Sequence, residues 1–509
     1  MNKKNQFGVV ILSAVIITIL FHRQPPGLNV FIYEMLLIIW LIITKQINIS
    51  GKIPIISITG LGSTAIFTVV TNSTFSLFIN FVALFVFIGM LIYPQAKSLI
   101  TATGLSYINF LKSQIQFINE ISGSKYRGQK LGTYLWKFRI FIIPVIIIIL
   151  FIIIYRASNP MFDDLLKSTG IFIGEFVESI FNDFDFSIIF TFLIGLIISN
   201  YFIYRYAFQP FMARDLNSSD ALIRRKTIIR KDFGINSLKN EYKAGVFLLL
   251  ILNLILLILN VIDIYWVWFN FQWEGQYLKQ FVHEGTYLLI LSIIISIVLV
   301  LYYFRGNLNF YANNKLLKFL SYIWLGQNAI LTISVAIRNF WYIYYFALAY
   351  KRIGVIIFLF LTIYGLFTVL SKVKYSKSAF YLFKTNALAL YFILVISSAF
   401  NWDNIIAIYN FRHSGKSFVH LDYLATLSDN TLPVLDKSLP ELLSIQKTQI
   451  EMFPFEKKYM TPDEYHQIIE KRKINFLQKW ESQSFLSWNL PDYMAYKKIM
   501  GQKMPGQEK

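Results

Sequence analysis

The stretch VFLLLILNLILLILNVI, Val246–Ile262, decides the fold class because it is a long segment without a single charged residue. A second segment, IFIIPVIIIILFIIIY at Ile140–Tyr155, has the same character. Apolar runs of about 18 residues or more can cross the ~30 Å hydrocarbon layer of a bilayer. Backbone polar groups in lipid must be satisfied within the segment, so such runs form helices. The sequence therefore predicts an all-α, polytopic membrane protein.

The composition of the whole chain supports this class. Of 509 residues, 56% are apolar and 15% are charged, whereas a soluble domain has about 25% charged residues. Apolar run length predicts about eleven spans. They lie near residues 7–21, 28–44, 53–71, 74–94, 139–156, 186–206, 245–265, 285–304, 317–337, 353–371 and 379–399. We therefore predict a transmembrane helical bundle over residues 1–400.

The composition changes after about residue 400. Residues 401–509 contain 14 Lys and Arg against 13 Asp and Glu, so this tail is nearly neutral. Helical spacing recurs in it, and Thr461, Pro462 and Glu464 form the pattern of a capping box at a helix start. The sequence predicts a small soluble helical domain over residues 401–509.

The net charge of +20 lies largely in the connectors between spans. The N-terminus and the loops 95–138 and 207–244 are basic, whereas the loop 157–185 is acidic. Lys and Arg are enriched in cytoplasmic loops, so we predict an inner (plasma) membrane protein with a cytoplasmic N-terminus and an exterior C-terminal tail. Three cations, Arg338, Lys351 and Arg352, fit this arrangement poorly because they would lie outside.

The same distribution sets the predicted partners. The lipid bilayer is the first, and the basic cytoplasmic loops, notably Arg224, Arg225 and Lys226, are predicted to contact anionic lipid headgroups. A membrane protein partner is also compatible with the sequence. Nucleic acid is not predicted, because the membrane topology accounts for the basic residues.

The stretch QFVHEGTYLL, Gln280–Leu289, falls one residue short of the zinc-protease signature H-E-x-x-H. His283 and Glu284 are present, but Tyr287 stands where the second His is needed. We therefore predict no metal and no cofactor here. In the simplest interpretation, Glu284 caps a helix that starts near Gly285; in the alternative, Glu284 or His283 pairs with Arg338 or Arg352.

Ionisable residues within predicted spans are functional candidates by default. Glu34 lies in the second span and Asp263 ends the seventh. Both are close enough to a span end to reach the interface, which is the alternative interpretation. The pair Asp183 and Asp185 is an Asp-x-Asp that could hold a metal on a sugar-phosphate donor, or could simply belong to a solvated acidic loop.

Three segments together resemble a bacterial membrane family catalogued only as a domain of unknown function (the 4153 and 4173 group). They are YLKQFVHEGTYLL at 277–289, RNFWYIYYFALAYKRIGV at 338–355, and DNIIAIYNFRHSGKSFVHLDYLATLSDNTLPVLDK at 403–437, with NPMF at 159–162 as a weaker match. The chain departs from the family pattern at Ala347-Leu348-Ala349, where the family has Gly-Leu-Thr. The resemblance implies a multi-spanning inner-membrane protein and carries no activity.

No motif in the sequence demands catalysis. The favoured prediction is a non-enzymatic envelope scaffold, sensor or partner-binding component. The alternatives are a transporter or permease, and a membrane-embedded transferase acting on a lipid-linked substrate. A water-filled cavity at Glu34 or Asp263 would favour transport, a cleft beside Asp183 and Asp185 would favour transfer, and a solid bundle would favour the scaffold.

Overall fold

The chain is almost entirely helical wherever its structure is described. The computed structural model describes residues 3–47, 51–123, 161–170, 185–224, 235–271, 275–454 and 460–503, with isolated positions between 125 and 159. Its only strands in these ranges are the two-residue pair Lys125–Tyr126 and Gln129–Lys130. The predicted all-α class is confirmed.

Seven of the helices in the described residues before position 225 are numbered in chain order. They are α1 (Lys3–Phe21), α2 (Leu28–Ile43), α3 (Lys52–Val70), α4 (Thr74–Ile92), α5 (Leu99–Gly123), α6 (Phe186–Ile203) and α7 (Gln209–Leu216). A further short helix covers 161–170, and Asn159 Oδ1 accepts the backbone N–H of Met161 at 2.9 Å, as an N-cap side chain does.

The next five helices are long. They are α8 (Ile235–Asp263), which continues as a π-helix over Ile264–Phe269, then α9 (Gly275–Tyr303), α10 (Lys315–Phe346), α11 (Tyr350–Tyr375) and α12 (Ala379–Ser397). The helices of the tail are shorter. They are α13 (Trp402–Arg412), α14 (Leu421–Leu424), α15 (Leu432–Leu435), α16 (Leu439–Met452), α17 (Pro462–Ser482) and α18 (Leu490–Lys503).

Within the described residues, seven helical segments are long and apolar enough to cross a membrane. They are Lys52–Val70, Thr74–Ile92, Leu238–Phe269, Gly285–Tyr303, Lys315–Phe346, Tyr350–Tyr375 and Ala379–Ser397. Three shorter apolar helices, Gln6–Phe21, Leu28–Ile43 and Ser187–Ile203, fall on three further predicted spans. The remaining predicted span, 139–156, lies outside the described residues apart from single positions. The polytopic architecture is confirmed, and the count of eleven spans stays a prediction.

The chain divides into two compact units, and the first comprises Met1–Pro25 and Gly104–Phe208. Here α1 and α6 approach closely at Gly195, where a Cβ atom would lie 2.9 Å from the carbonyl oxygen of Ala14. Small residues permit such close helix contacts in lipid. On α5 the apolar side chains of Leu111 and Ile115 are exposed, as expected of a surface that faces lipid.

The second unit comprises Pro26–Thr103 and Gln209–Lys509, so it contains both membrane helices and the tail. The apolar core of the tail also includes Ile353 of α11, and Leu424 and Tyr465 are fully buried in it. The predicted capping box is present: Thr461 Oγ1 accepts the N–H of Glu464, and Glu464 Oε2 accepts the N–H of Thr461. The compact units do not divide at residue 400, and the domain division of 1–400 and 401–509 stays a prediction.

Candidate functional site

A ladder of polar side chains joins α8 to α10. Asn253 and Asn260 are seven residues apart, so they share the face of α8 that meets α10. The Asn253 amide donates to the Leu320 carbonyl at 3.1 Å and accepts from Gln327 Nε2 at 2.9 Å. The Asn260 amide donates to the Gln327 carbonyl at 3.2 Å. Polar side chains thus hold together two helices that are otherwise strongly apolar.

An ion pair lies at the end of this ladder. Arg338 Nη2 donates to Asp263 Oδ1 at 2.5 Å, and the two side chains are only 6% and 4% exposed. An unpaired charge at such a position would cost several kcal/mol, so each group requires the other. The pair explains why Arg338 lies on the predicted exterior side against the charge rule. Sequence reasoning named both residues but did not predict that they meet.

The stretch around His283 and Glu284 lies inside α9. The predicted helix start near Gly285 is wrong, because α9 already begins at Gly275, so Glu284 does not cap it. The polar residues before 285 extend the helix beyond the apolar run. A Cβ atom at Gly285 would lie 3.6 Å from Arg338 Nη1. The side chains of His283 and Glu284 lie outside the described residues, and their pairing with Arg338 or Arg352 stays a prediction.

Several buried oxygens in this helix group have no hydrogen-bond partner within the described part of the chain. They are Asp263 Oδ2, Asn260 Oδ1, Gln327 Oε1 and Thr286 Oγ1. Buried polar groups are normally satisfied by protein or by ordered water. These oxygens can accept hydrogen bonds, so the site has the chemistry to hold water or a donor group of a ligand.

Arg352 has a different role from Arg338. Its Nη1 donates to the carbonyls of Phe346, at 2.6 Å, and of Ala347, and its guanidinium lies 4.3 Å from the ring centre of Tyr342. A cation here satisfies the terminal carbonyls of α10 and complements the negative end of the helix dipole. The predicted contact residue is therefore engaged with the break between α10 and α11.

The tail also forms hydrogen bonds with the break between α10 and α11. Asn410 of α13 is buried, and its amide accepts the N–H of Leu348 at 2.7 Å and donates to the Leu348 carbonyl at 3.0 Å. The N–H of Phe418 donates to the Tyr345 carbonyl at 2.7 Å. Sequence reasoning missed Asn410. Its signal was an amide on the otherwise apolar buried face of α13 that includes Ala407.

Glu34 is enclosed by α2, α3 and α4. Its side chain is buried: the residue is 3% exposed, and Oε2 accepts from Asn80 Nδ2 at 3.0 Å. The same amide also approaches Thr64 Oγ1 at 3.3 Å. The contacts of Glu34 and those of Asp263 therefore form two separate polar sites.

Asp185, from the predicted acidic loop, has hydrogen-bond and ion-pair partners within the first unit. Asp185 caps α6 by accepting the N–H of Ser187 at 3.0 Å, and it lies 3.0 Å from both His22 Nε2 and Arg23 Nη2. The hydrogen bond from the Ser187 hydroxyl is the main cause that lowers the pKa of Asp185. Asp183 lies outside the described residues. Within those residues, no three His, Asp or Glu side chains lie close enough to hold a metal ion.

A cavity of about 960 Å³ opens between α9, α11 and α12, and the loop after α7 forms part of its wall. Neither Glu34 nor Asp263 lines it. The polar ladder and the cavity are therefore distinct features of the same unit.

The comparisons with known proteins give a family and no activity. No curated protein and no solved structure matches the chain. The sequence model described as Domain of unknown function (DUF4153) matches residues 7–438, which is most of the chain. The segments that carried the resemblance from 277 onward, up to residue 437, lie within this match. The chain therefore belongs to the DUF4153 family.

Proposed function

We propose that this chain is a non-enzymatic scaffold of the bacterial inner membrane, which presents its helical tail to a membrane protein partner on the exterior side. The observation that carries the proposal is the use of buried polar groups. Asp263, Arg338, Arg352 and Asn410 all serve contacts within the protein, between helices or between the α10–α11 break and the tail. Among these contacts, the hydrogen bonds of Asn410 join the tail to the α10–α11 break.

The proposed topology places the N-terminus in the cytoplasm and the tail outside. Contacts between connectors support it, because they join segments that the charge distribution assigns to one side. On the cytoplasmic side, the N–H of Leu222 donates to the Ser376 carbonyl at 2.9 Å. On the exterior side, the N–H of Leu28 donates to the Trp488 carbonyl at 2.9 Å.

Transport is the second candidate, because buried oxygens of Asn260 and Thr286 lack partners within the described residues. Single-cysteine accessibility separates the two functions, since the chain has no Cys of its own. For a scaffold, Asn260→Cys and Thr286→Cys resist a membrane-impermeant maleimide from both sides. For a transporter, at least one of them reacts from one side.

Two exposed positions provide the topology controls for that experiment. Ser444→Cys, in the tail, should react in intact cells, and Asn313→Cys, between α9 and α10, should react only in inverted vesicles. Labelling of Ser444→Cys only in inverted vesicles would place the tail inside the cell and overturn the proposed topology.

The scaffold proposal also requires a partner that depends on the tail. Asn410→Ala should detach the tail from Leu348 while the membrane helices still insert. Asn404→Ala is the matched control, because its side chain makes no hydrogen bond with the described residues of the same helix or of its neighbours. Crosslinking in native membranes followed by purification should give one complex of defined mass with wild type and Asn404→Ala. Its yield should fall at least fivefold with Asn410→Ala. A chain that purifies alone, with all three variants alike, would contradict the scaffold.

A further inference from the structure

The cavity of about 960 Å³ is a groove between three membrane helices. Its walls are mostly aliphatic and aromatic side chains, and they include Ile297, Leu301, Val369, Leu382 and Phe383. The volume is at the upper end of the ~300–1,000 Å³ typical of ligand pockets. A groove with such walls is suited to an apolar ligand, and in a membrane the nearest apolar molecule is a lipid.

The charged residues that line the groove are both cations, Arg305 and Lys372. The Arg305 side chain is 57% exposed. Its guanidinium lies over the Tyr302 ring, 3.8 Å from the ring centre, and its Nη2 lies 3.8 Å from Glu241 Oε1, a residue that does not line the groove. The nearby acid Asp220 does not line the groove, and it is paired with Lys384 at 2.6 Å. The rim therefore carries positive charge that no acid of the lining neutralises.

Hydrogen bonds hold the polar end of the groove in place. Ser378 Oγ donates to the Ser219 carbonyl at 2.5 Å, and Lys372 Nζ donates to the Lys377 carbonyl at 2.7 Å. Ala221 and Lys377 form an antiparallel β-bridge. The loop after α7 is thereby attached to the turn between α11 and α12, and the rim has a fixed shape.

We propose that this groove binds an anionic glycerophospholipid, with acyl chain against the apolar walls and phosphate against Arg305. Basic pockets between membrane helices on the cytoplasmic side take anionic lipid headgroups, and the rim lies on the side that we assign to the cytoplasm. A free phosphate would use the rim alone, whereas a phospholipid uses both the rim and the walls. The inference rests on the proposed topology, which assigns the rim to the cytoplasmic side, but it does not require a protein partner for the tail.

Gly365 offers a direct way to fill the groove. It lines the groove, and a Cβ atom there would meet only Asn386 Oδ1, at 3.7 Å, which is ordinary contact. Gly365→Leu should therefore fold and place its side chain where the acyl chain lies. Gly354→Leu is the matched control: Gly354 is on the same helix, a Cβ there meets nothing within 4 Å, and it does not line the groove.

The full chain is reconstituted in nanodiscs that contain either phosphatidylglycerol or phosphatidylcholine and a trace of photoactivatable lipid of the same headgroup. Crosslinking to α9, α11 and α12 should favour the anionic lipid at least fivefold, and Gly365→Leu should abolish it while Gly354→Leu does not. Arg305→Ala should reduce it about fivefold, and Lys315→Ala, an exposed cation that does not line the groove, should not change it.

Equal labelling by the two headgroups, or unchanged labelling of Gly365→Leu, would overturn the proposal. Competition by millimolar inorganic phosphate with no effect of Gly365→Leu would show a free-anion site on the rim instead, and would also overturn it.

Discussion

Asp263, the last residue of α8, and Arg338, within α10, form a buried ion pair with 2.5 Å between Oδ1 and Nη2. Arg352, near the start of α11, is also buried and donates to the terminal carbonyls of α10. These two arginines are two of the three cations that the charge rule would not place outside. The rule describes solvated loop charges, and neither arginine is solvated, so the exceptions do not contradict the predicted orientation.

Breaking this pair should be costly because it leaves a buried charge without compensation. Asp263→Asn should lower the free energy of unfolding by about 3–5 kcal/mol, the usual cost of removing one partner of a buried pair. The double variant Asp263→Asn/Arg338→Met should recover part of the loss, since it removes both charges. Thermal unfolding of the purified protein in detergent measures both effects.

The control for that series is Asp164→Asn, since the Asp164 side chain is 78% exposed beside Lys167. An exposed pair contributes about 0–1 kcal/mol, so this variant should unfold at nearly the wild-type temperature. If the double variant were less stable than Asp263→Asn alone, the explanation by uncompensated charge would be wrong.

Ala347 occupies a backbone conformation that suits glycine. Its φ of 63° and ψ of −171° fall in a region that is essentially restricted to glycine. Ala347→Gly should therefore stabilise the protein by about 1 kcal/mol despite the greater freedom of glycine in the unfolded chain. A rise in the unfolding temperature is the expected measurement.

Ala349→Gly is the matched comparison, because Ala349 is extended, with φ −151° and ψ 161°. Any residue adopts that conformation, so glycine there brings only its entropic cost and should lower the unfolding temperature. Equal effects of the two glycine substitutions would exclude strain at Ala347.

The polar face of α8 illustrates what the sequence could and could not predict. The seven-residue spacing of Asn253 and Asn260 predicts their shared face, because helix geometry is local. Their partner Gln327 lies 74 and 67 positions further along the chain. No local pattern encodes which of several equally apolar helices faces α8. The pairing of these two residues with Gln327 could therefore not be predicted from the sequence.

The prediction of where α9 starts was wrong for a different physical reason. Hydropathy locates the part of a helix that lies in hydrocarbon, near Gly285, whereas the hydrogen-bonded helix begins at Gly275. Polar residues continue a helix into the interface without any apolar signal. Caps with local chemistry, such as Thr461 with Glu464, were predicted correctly because the residues that form them are three positions apart.

Glu34 provides a test of whether a buried acid in α2 is needed as a charge. Its hydrogen-bond partner among the described residues is the neutral amide of Asn80, and a carboxylate in an apolar setting is stabilised poorly by a neutral donor alone. Glu34→Gln keeps the shape and the acceptor, so its unfolding temperature should stay close to wild type. Glu34→Ala removes the closer acceptor of the Asn80 amide and opens a cavity, and should cost about 2–5 kcal/mol.

Both Glu34 variants are followed by thermal unfolding in the same detergent, with expression level as the check on insertion. A large loss of stability in Glu34→Gln would mean that the negative charge itself is required. The role of Glu34 as a neutral hydrogen-bond acceptor for Asn80 would then not explain why an acid stands at this position.

Asp492 should make the tail sensitive to pH. Partial burial raises the pKa of its carboxyl above the ordinary value of 3.8, while the hydrogen bond from Asn489 and the charge of Lys479 oppose this. A raised pKa in the folded state means that folding favours the protonated acid, so the charged form destabilises the tail at neutral pH. The destabilisation should fade as the pH falls through the raised pKa towards 3.8.

Asp492→Asn removes the charge and can still accept from the Asn489 amide, which donates to Asp492 Oδ2 at 2.9 Å. The variant should therefore unfold at a higher temperature than wild type at pH 7, and the two curves should converge as the pH approaches 4. Thermal unfolding of the full chain from pH 4 to 8, followed by tail tryptophan fluorescence, measures the difference. Parallel curves across this range would show that Asp492 does not change its protonation on folding. Wild type and Asp492→Asn share every other titratable group, so the pH dependence that both retain would come from those groups.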